Sequence, residues 1–137
     1  MMGESNNHIQ LVEELVSWIA RTYLDGDKGY LLIDHPQYAA CNKPHKINGY
    51  VPDVFTASAP NGQTIIGEAK TKRDVDRPHS VEQIKAFLRY CSNHENAVFV
   101  FASPWSMSRY AKALLRRLQQ HTNASMVTVI VIEGLPD

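Results

Sequence analysis

Between Pro52 and Lys70 the chain runs Pro-Asp-Val-Phe-Thr-Ala-Ser-Ala-Pro-Asn-Gly-Gln-Thr-Ile-Ile-Gly-Glu-Ala-Lys, and this stretch limits the fold more than any other. Asn61-Gly62 is a strong hairpin signal, because a two-residue type I′ turn needs φ > 0 at both central positions. Val54-Phe55-Thr56-Ala57 precedes the turn and Thr64-Ile65-Ile66 follows it, both rich in side chains that suit a pleated surface. With Asn61 and Gly62 as the loop, Pro60 faces Gln63, and counting outward sets Asp53 opposite Lys70. Side chains alternate faces along a strand, so Glu68 shares a face with Lys70 and therefore with Asp53. Two carboxylates and an ammonium then converge at the open end of the hairpin, with the carboxylates diagonal to one another and their Cβ atoms roughly 7 Å apart. Pro52 has no N–H to give a ladder, so pairing loosens there and leaves room for an ion. The span suits two carboxylates reaching toward one hard cation.

The flanking segments read in order. Residues 8–24 form an amphipathic helix, with Val12, Leu15, Val16, Ile19 and Tyr23 on its core face, Asn6 or Asn7 as its cap, and Gly26 and Gly29 ending it. Tyr30-Leu31-Leu32-Ile33 is a short buried strand, and residues 34–49 are loop-like. After the hairpin, residues 70–79 make a polar connection. Ser80 caps a helix that runs to about Cys91 and turns Val81, Ile84, Phe87, Leu88 and Cys91 inward. Ala97-Val98-Phe99-Val100-Phe101 has the continuous apolar pattern of a fully buried strand. Residues 106–121 form a second amphipathic helix, with Met107, Tyr110, Ala111, Leu114, Leu115 and Leu118 on one face and Arg109, Lys112, Arg116 and Arg117 on the other. Met126 to Ile132 is a last buried strand. No repeat, linker or low-complexity tract interrupts this order, and 137 residues suit one domain with its own core. The expected fold is α/β, a central mixed β-sheet flanked by helices in the order αβββαβαβ.

Composition excludes several classes. Cys41 and Cys91 are the only cysteines, which is no disulfide framework and fits a reducing, cytoplasmic setting. No apolar run approaches the ~20 residues of a membrane span, and the first residues lack a basic region followed by an apolar core, so no signal peptide is expected. A formal net charge of zero argues against nonspecific coating of nucleic acid, which depends on neutralising phosphates.

An aspartate after a proline, then Glu68-Ala69-Lys70, on a hairpin inside this element order, resembles the PD-(D/E)xK nuclease superfamily. A helix, a three-strand meander, a helix and a fourth strand are the common core of its restriction endonuclease-like fold. The chain is most similar to the compact single-domain members, such as archaeal Holliday-junction resolvases. The resemblance covers nearly the whole chain in element order and residues 50–90 in motif. It implies a metal-dependent DNA endonuclease that hydrolyses phosphodiester bonds. Asp53 and Glu68 would bind Mg²⁺ (or Mn²⁺), helped by the carbonyl of Ala69, and Lys70 would assist water attack. The chemistry needs such a set: a hard cation neutralises charge on the phosphate oxygens and acidifies a water, and an ammonium steadies the developing oxyanion.

Some superfamily members carry a glutamine on the next helix that points at the active site, and Gln83 holds that place here. They often have a tyrosine four residues later; here that position is Phe87, and Tyr90 lies seven residues after Gln83. Other members add an acidic residue from the first helix. Glu13 and Glu14 flank its apolar stripe about equally, and His8 is a third option. Lys46, Lys72, Arg73 and Arg77, with Lys43 and His45, would border the cleft and contact phosphates, and the basic face of the last helix is a second possible footprint. Cutting a duplex or a junction needs two sites, so a homodimer is expected. RNA stays open as a substrate. The alternative is a noncatalytic nucleic-acid-binding or subunit-docking module on the same fold. His35, Cys41 and His45, or Cys91 and His94, lack the paired spacing of a closed zinc site.

Overall fold

The computed structural model of the protein describes residues 6–38 and 42–134. Three helices, α1 (Asn6–Tyr23), α2 (Pro78–Ser92) and α3 (Ser108–His121), pack on a five-stranded sheet. Its strands are β1 (Leu32–Ile33), β2 (Val54–Thr56), β3 (Thr64–Ala69), β4 (Ala97–Pro104) and β5 (Thr128–Gly134), side by side in chain order. Strand β2 runs antiparallel to both β1 and β3, and β4 and β5 run parallel to β3. The sheet is therefore mixed, as the patterning implies.

Two parallel crossovers explain the layers. Strands β3, β4 and β5 advance across the sheet in one direction, and right-handed crossovers then set α2 and α3 on the same face. There they cover Phe55, Ile66, Phe99 and Phe101. On the other face α1 brings Leu11, Val12, Leu15, Val16 and Ile19 against Val54, Ile65, Val98 and Val100. Covered on both faces, β3 and β4 are buried almost throughout, which is why their sequences are continuous apolar runs rather than alternating ones. Gly67 permits a close approach of α1: a Cβ there would stand 3.0 Å from Ile19 Cδ1, 3.1 Å from Leu15 Cδ2 and 3.2 Å from Val54 Cβ.

Several local expectations are corrected. The connection between β2 and β3 is not a two-residue I′ loop. Its turn spans Ala59 to Gly62, with the Gly62 N–H donating to the Ala59 carbonyl at 2.9 Å. Gly62 has φ +80°, but Asn61 is not among the residues with positive φ. Pro60 explains this, since its fixed φ presets the second position of an ordinary turn and leaves glycine at the fourth. Asn61 works through its side chain instead, accepting the Gln63 N–H at 3.2 Å.

The strand expected at Tyr30–Ile33 shortens to two residues, because Lys28–Tyr30 forms a 3₁₀ turn capped by the Asp27 carboxylate. Helix α2 starts at Pro78, whose missing N–H costs nothing in a first turn, and Ser80 is buried inside the helix rather than capping it. The last strand is not buried: β5 forms an edge of the sheet, Val129 to Ile132 are half-exposed, and Met126 before it is 95% exposed. Among the described residues no helix is long and apolar enough to cross a membrane.

Candidate active site

The observed register pairs Val54 with Gly67 and Phe55 with Ile66. Carried one step outward it sets Asp53 opposite Glu68, not opposite Lys70 as the two-residue loop would require. The slip is two residues, so every side chain keeps its face, and Asp53, Glu68 and Lys70 still share one. They lie on the face that carries Phe55 and Ile66, beneath α2. The carboxylates are closer than the expected diagonal and belong to directly opposed residues.

Backbone groups fix both acids. The Asp53 N–H donates to Glu68 Oε1 at 3.0 Å, and the Ala69 N–H donates to Asp53 Oδ2 at 2.9 Å. The Asp53 carbonyl accepts the Asp34 N–H at 2.9 Å, which ties the residue to the chain beyond β1. One step further out, Pro52 stands opposite Ala69 and has no N–H to offer the Ala69 carbonyl. The missing ladder bond expected at Pro52 therefore falls on the carbonyl that could join the two carboxylates around a cation.

Lys70 Nζ lies 3.3 Å from Glu68 Oε2 and donates a short hydrogen bond to Gln83 Oε1 on α2. Gln83 thus joins the cluster at the flank of its helix, while Phe87 is buried in the core and Tyr90 stacks on His94 at 4.2 Å, away from the acids. From α1, His8 Nε2 reaches within 3.5 Å of Asp53 Oδ2. Of the three first-helix options the structure brings His8 to the site. Glu13 lines a groove with Trp18 and Ile132, and Glu14 lines a cleft beside the site.

The site is dry. Asp53 is 8% exposed and Glu68 3%. Burial pushes the Glu68 carboxyl well above its ordinary range, and the neighbouring charge of Asp53 pushes it further, against the opposing pull of Lys70 and the Asp53 N–H. Ionising both buried acids, with the Lys70 ammonium on Glu68 and only the His8 ring on Asp53, would leave the site short of positive charge. The donors suit a hard cation: carboxylate oxygens of Asp53 and Glu68 and the Ala69 carbonyl. Mg²⁺ keeps several waters and needs few protein ligands. Among the described residues no group of three or more His, Cys, Asp or Glu side chains is disposed to hold a metal ion, so a cation here would rest on two carboxylates, a carbonyl and water.

The basic residues scatter more widely. Lys72 is exposed and lines the cleft beside the site. Arg73 is exposed on the same loop, and Arg77 is held by Asp74 at 3.4 Å and by the Arg73 carbonyl at 3.3 Å. Lys46 is exposed on the loop before β2, with no hydrogen bond or ion pair to the acids. Arg109, Lys112, Arg116 and Arg117 are exposed on α3.

The zinc alternatives dissolve into structural roles. His35 Nδ1 accepts the Gln37 N–H, so its Nε2 carries the proton and donates to the Ile9 carbonyl at 3.1 Å. Cys91 is fully buried and its thiol is pushed up to about 12, while His94 turns back on the Tyr90 carbonyl. Cys41 lies outside the described residues. Sequence reasoning missed Ser103, a fully buried serine on β4 whose hydroxyl has no hydrogen-bond partner among the described residues. It stands one position past the Ala69–Ala102 pair, level with Lys70. Inside an apolar strand nothing in its pattern signals this. Comparison of the chain with family models, with curated proteins and with solved structures found no match.

Proposed function

We propose that the protein is a metal-dependent DNA endonuclease of the PD-(D/E)xK type, with a restriction endonuclease-like core. One observation carries the reading: Asp53 and Glu68 are buried as opposed residues at a strand end, beside a lysine that a second residue, Gln83, holds in place. Burying two carboxylates costs several kcal/mol per charge unless positive charge compensates, and Lys70 is a single cation. A structural ion pair would need one acid, not two.

Asp53 and Glu68, with the Ala69 carbonyl, would hold Mg²⁺ or Mn²⁺. When bound, the ion would neutralise charge on the phosphate and supply an acidified water. Lys70, fixed between Glu68 and Gln83, is placed to donate to the attacking water or to a phosphate oxygen. His8 holds Asp53 from the opposite side. Lys72, Arg73 and Arg77 supply phosphate contacts on the loop that follows, and Lys46 is a more distant candidate for the same role.

Two-strand cleavage by so small a chain implies a homodimer. The β5 edge is the surface best suited to it, because Val129 to Ile132 form an uncharged, half-exposed strand edge with unpaired backbone groups. The test is incubation with branched, duplex and single-stranded DNA, in Mg²⁺, in Mn²⁺ and in EDTA, beside a Lys70→Ala variant. Metal-dependent cutting that falls at least about 100-fold in the variant is expected. DNA binding without cutting on any substrate would favour the noncatalytic binding module. Neither metal uptake nor cutting would overturn the reading.

A further inference from the structure

We propose that the cleft beside the carboxylate pair takes an unpaired base of the DNA strand, with Trp105 as the stacking surface at its mouth. The inference rests on the nuclease reading and narrows its substrate to DNA with a single-stranded element.

The cleft adjoins the site on two sides. Thr71, on one wall, follows Lys70 directly; Asn7, on the other, precedes His8. A strand whose phosphate lies at Asp53 and Glu68 therefore has this cleft as its neighbour. The lining suits a base better than a phosphate. Asn7 and Gln10 offer amides, and Glu14 adds a carboxylate, which would repel phosphate but accepts from the amino groups on base edges. Leu11 and Pro104 give the cleft apolar surface for a ring. Lys72 is the one cation on the lining and suits the phosphate that would follow the base.

Trp105 sits between Pro104 and Ser106, both on the cleft lining, and is 54% exposed. A single exposed apolar side chain needs no special account. This one stands just past the end of a central strand, between two residues of the cleft lining, with exposed Arg109 four residues on and exposed Tyr110 after it. Exposed aromatics among cations are the surface on which unpaired bases stack, and duplex DNA cannot use it because its bases are already stacked.

The chain has two tryptophans, so a Trp18→Phe protein leaves Trp105 as the sole reporter. Its fluorescence is followed at low salt in EDTA during titration with an oligothymidylate, a forked duplex and a blunt duplex. Quenching by the first two and not by the third is expected. Trp105→Ala should weaken binding of the forked and single-stranded DNA about tenfold and leave the blunt duplex unchanged, with Trp105→Phe restoring most of the loss. An unchanged circular dichroism spectrum would show that the exposed substitution spares the fold. Forked and single-stranded DNA binding the Trp105→Ala protein as tightly as the parent protein overturns the inference, as does quenching by the blunt duplex alone. Cutting in Mg²⁺ that ignores Trp105 leaves the nuclease reading standing without it. Trp105-dependent binding with no cutting does the reverse, and no binding of any DNA removes both.

Discussion

At Asp53 and Glu68 two buried acids face each other across a ladder. Burial first, and the charge of Asp53 second, hold the proton on Glu68, and the effect can be followed with pH. Glu68 keeps its proton to a higher pH in the folded chain than in the unfolded one. Between the two values the folded chain binds more protons, so this contribution to stability is complete below about pH 4 and is lost as pH rises through the raised folded value. Denaturant melts in EDTA should show that decline, and Asp53→Asn should lessen it, because the second charge is gone, an amide oxygen can still accept the Ala69 N–H, and the burial of Glu68 remains. In EDTA at neutral pH the variant should be more stable than the wild type, by on the order of 1 kcal/mol. Metal competes with the same proton, so Mn²⁺ affinity measured by calorimetry should climb with pH over that window and be lost in Asp53→Asn. The acids, Lys70 and Gln83 were all legible in the sequence, since identity and alternation suffice to find them. His8 was legible only as one of three options, because helical periodicity fixes a face and not the distance along the axis.

The β2–β3 connection shows how an element can be misread while its consequence survives. Asn61-Gly62 suggests a tight loop, but Pro60 before it imposes a different turn and lengthens the connection. The ladder slips by two residues, an even number, so the faces hold and the site still assembles. A slip of one would have sent Glu68 to the face under α1. The β5 pattern misleads for another reason. A short apolar run looks the same whether a strand lies in the middle of a sheet or at its edge, and only the topology decides. Packing at Gly67 is likewise invisible in a single sequence, yet it sets how closely α1 approaches β3. Gly67→Ala should therefore cost about 1–3 kcal/mol through overpacking against Ile19 and Leu15, measured as a fall in the denaturation midpoint. Because α1 carries His8, the same variant should also weaken cutting, whereas Gly62→Ala in the distal turn should cost about 1 kcal/mol and leave cutting per folded molecule unchanged.

The whole molecule is a sheet with one guarded edge and one open one. At β1 the chain turns away after two residues; at β5 seven residues end the sheet with Glu133 as their only charge. Ile130→Lys should keep the fold, since Ile130 is already half-exposed, and should shift a wild-type dimer to monomer in sedimentation velocity. A wild type that is monomeric at tens of micromolar would remove the dimer from the proposal. The location of the acid pair has a kinetic side as well. Asp53 and Glu68 are 15 residues apart, on one antiparallel pair, whereas Gln83 and the crossovers of α2 and α3 close over longer stretches. Because loop closure over 15 residues costs less than closure of the longer crossovers, the β2–β3 pair is expected to form first, bringing the two carboxylates together while the chain is still largely open. Acid or a divalent cation should then act as an accelerator of refolding, raising the folding limb of the chevron and barely altering the unfolding limb. The ion proposed for the chemistry would in that case set how fast each new chain reaches its folded form.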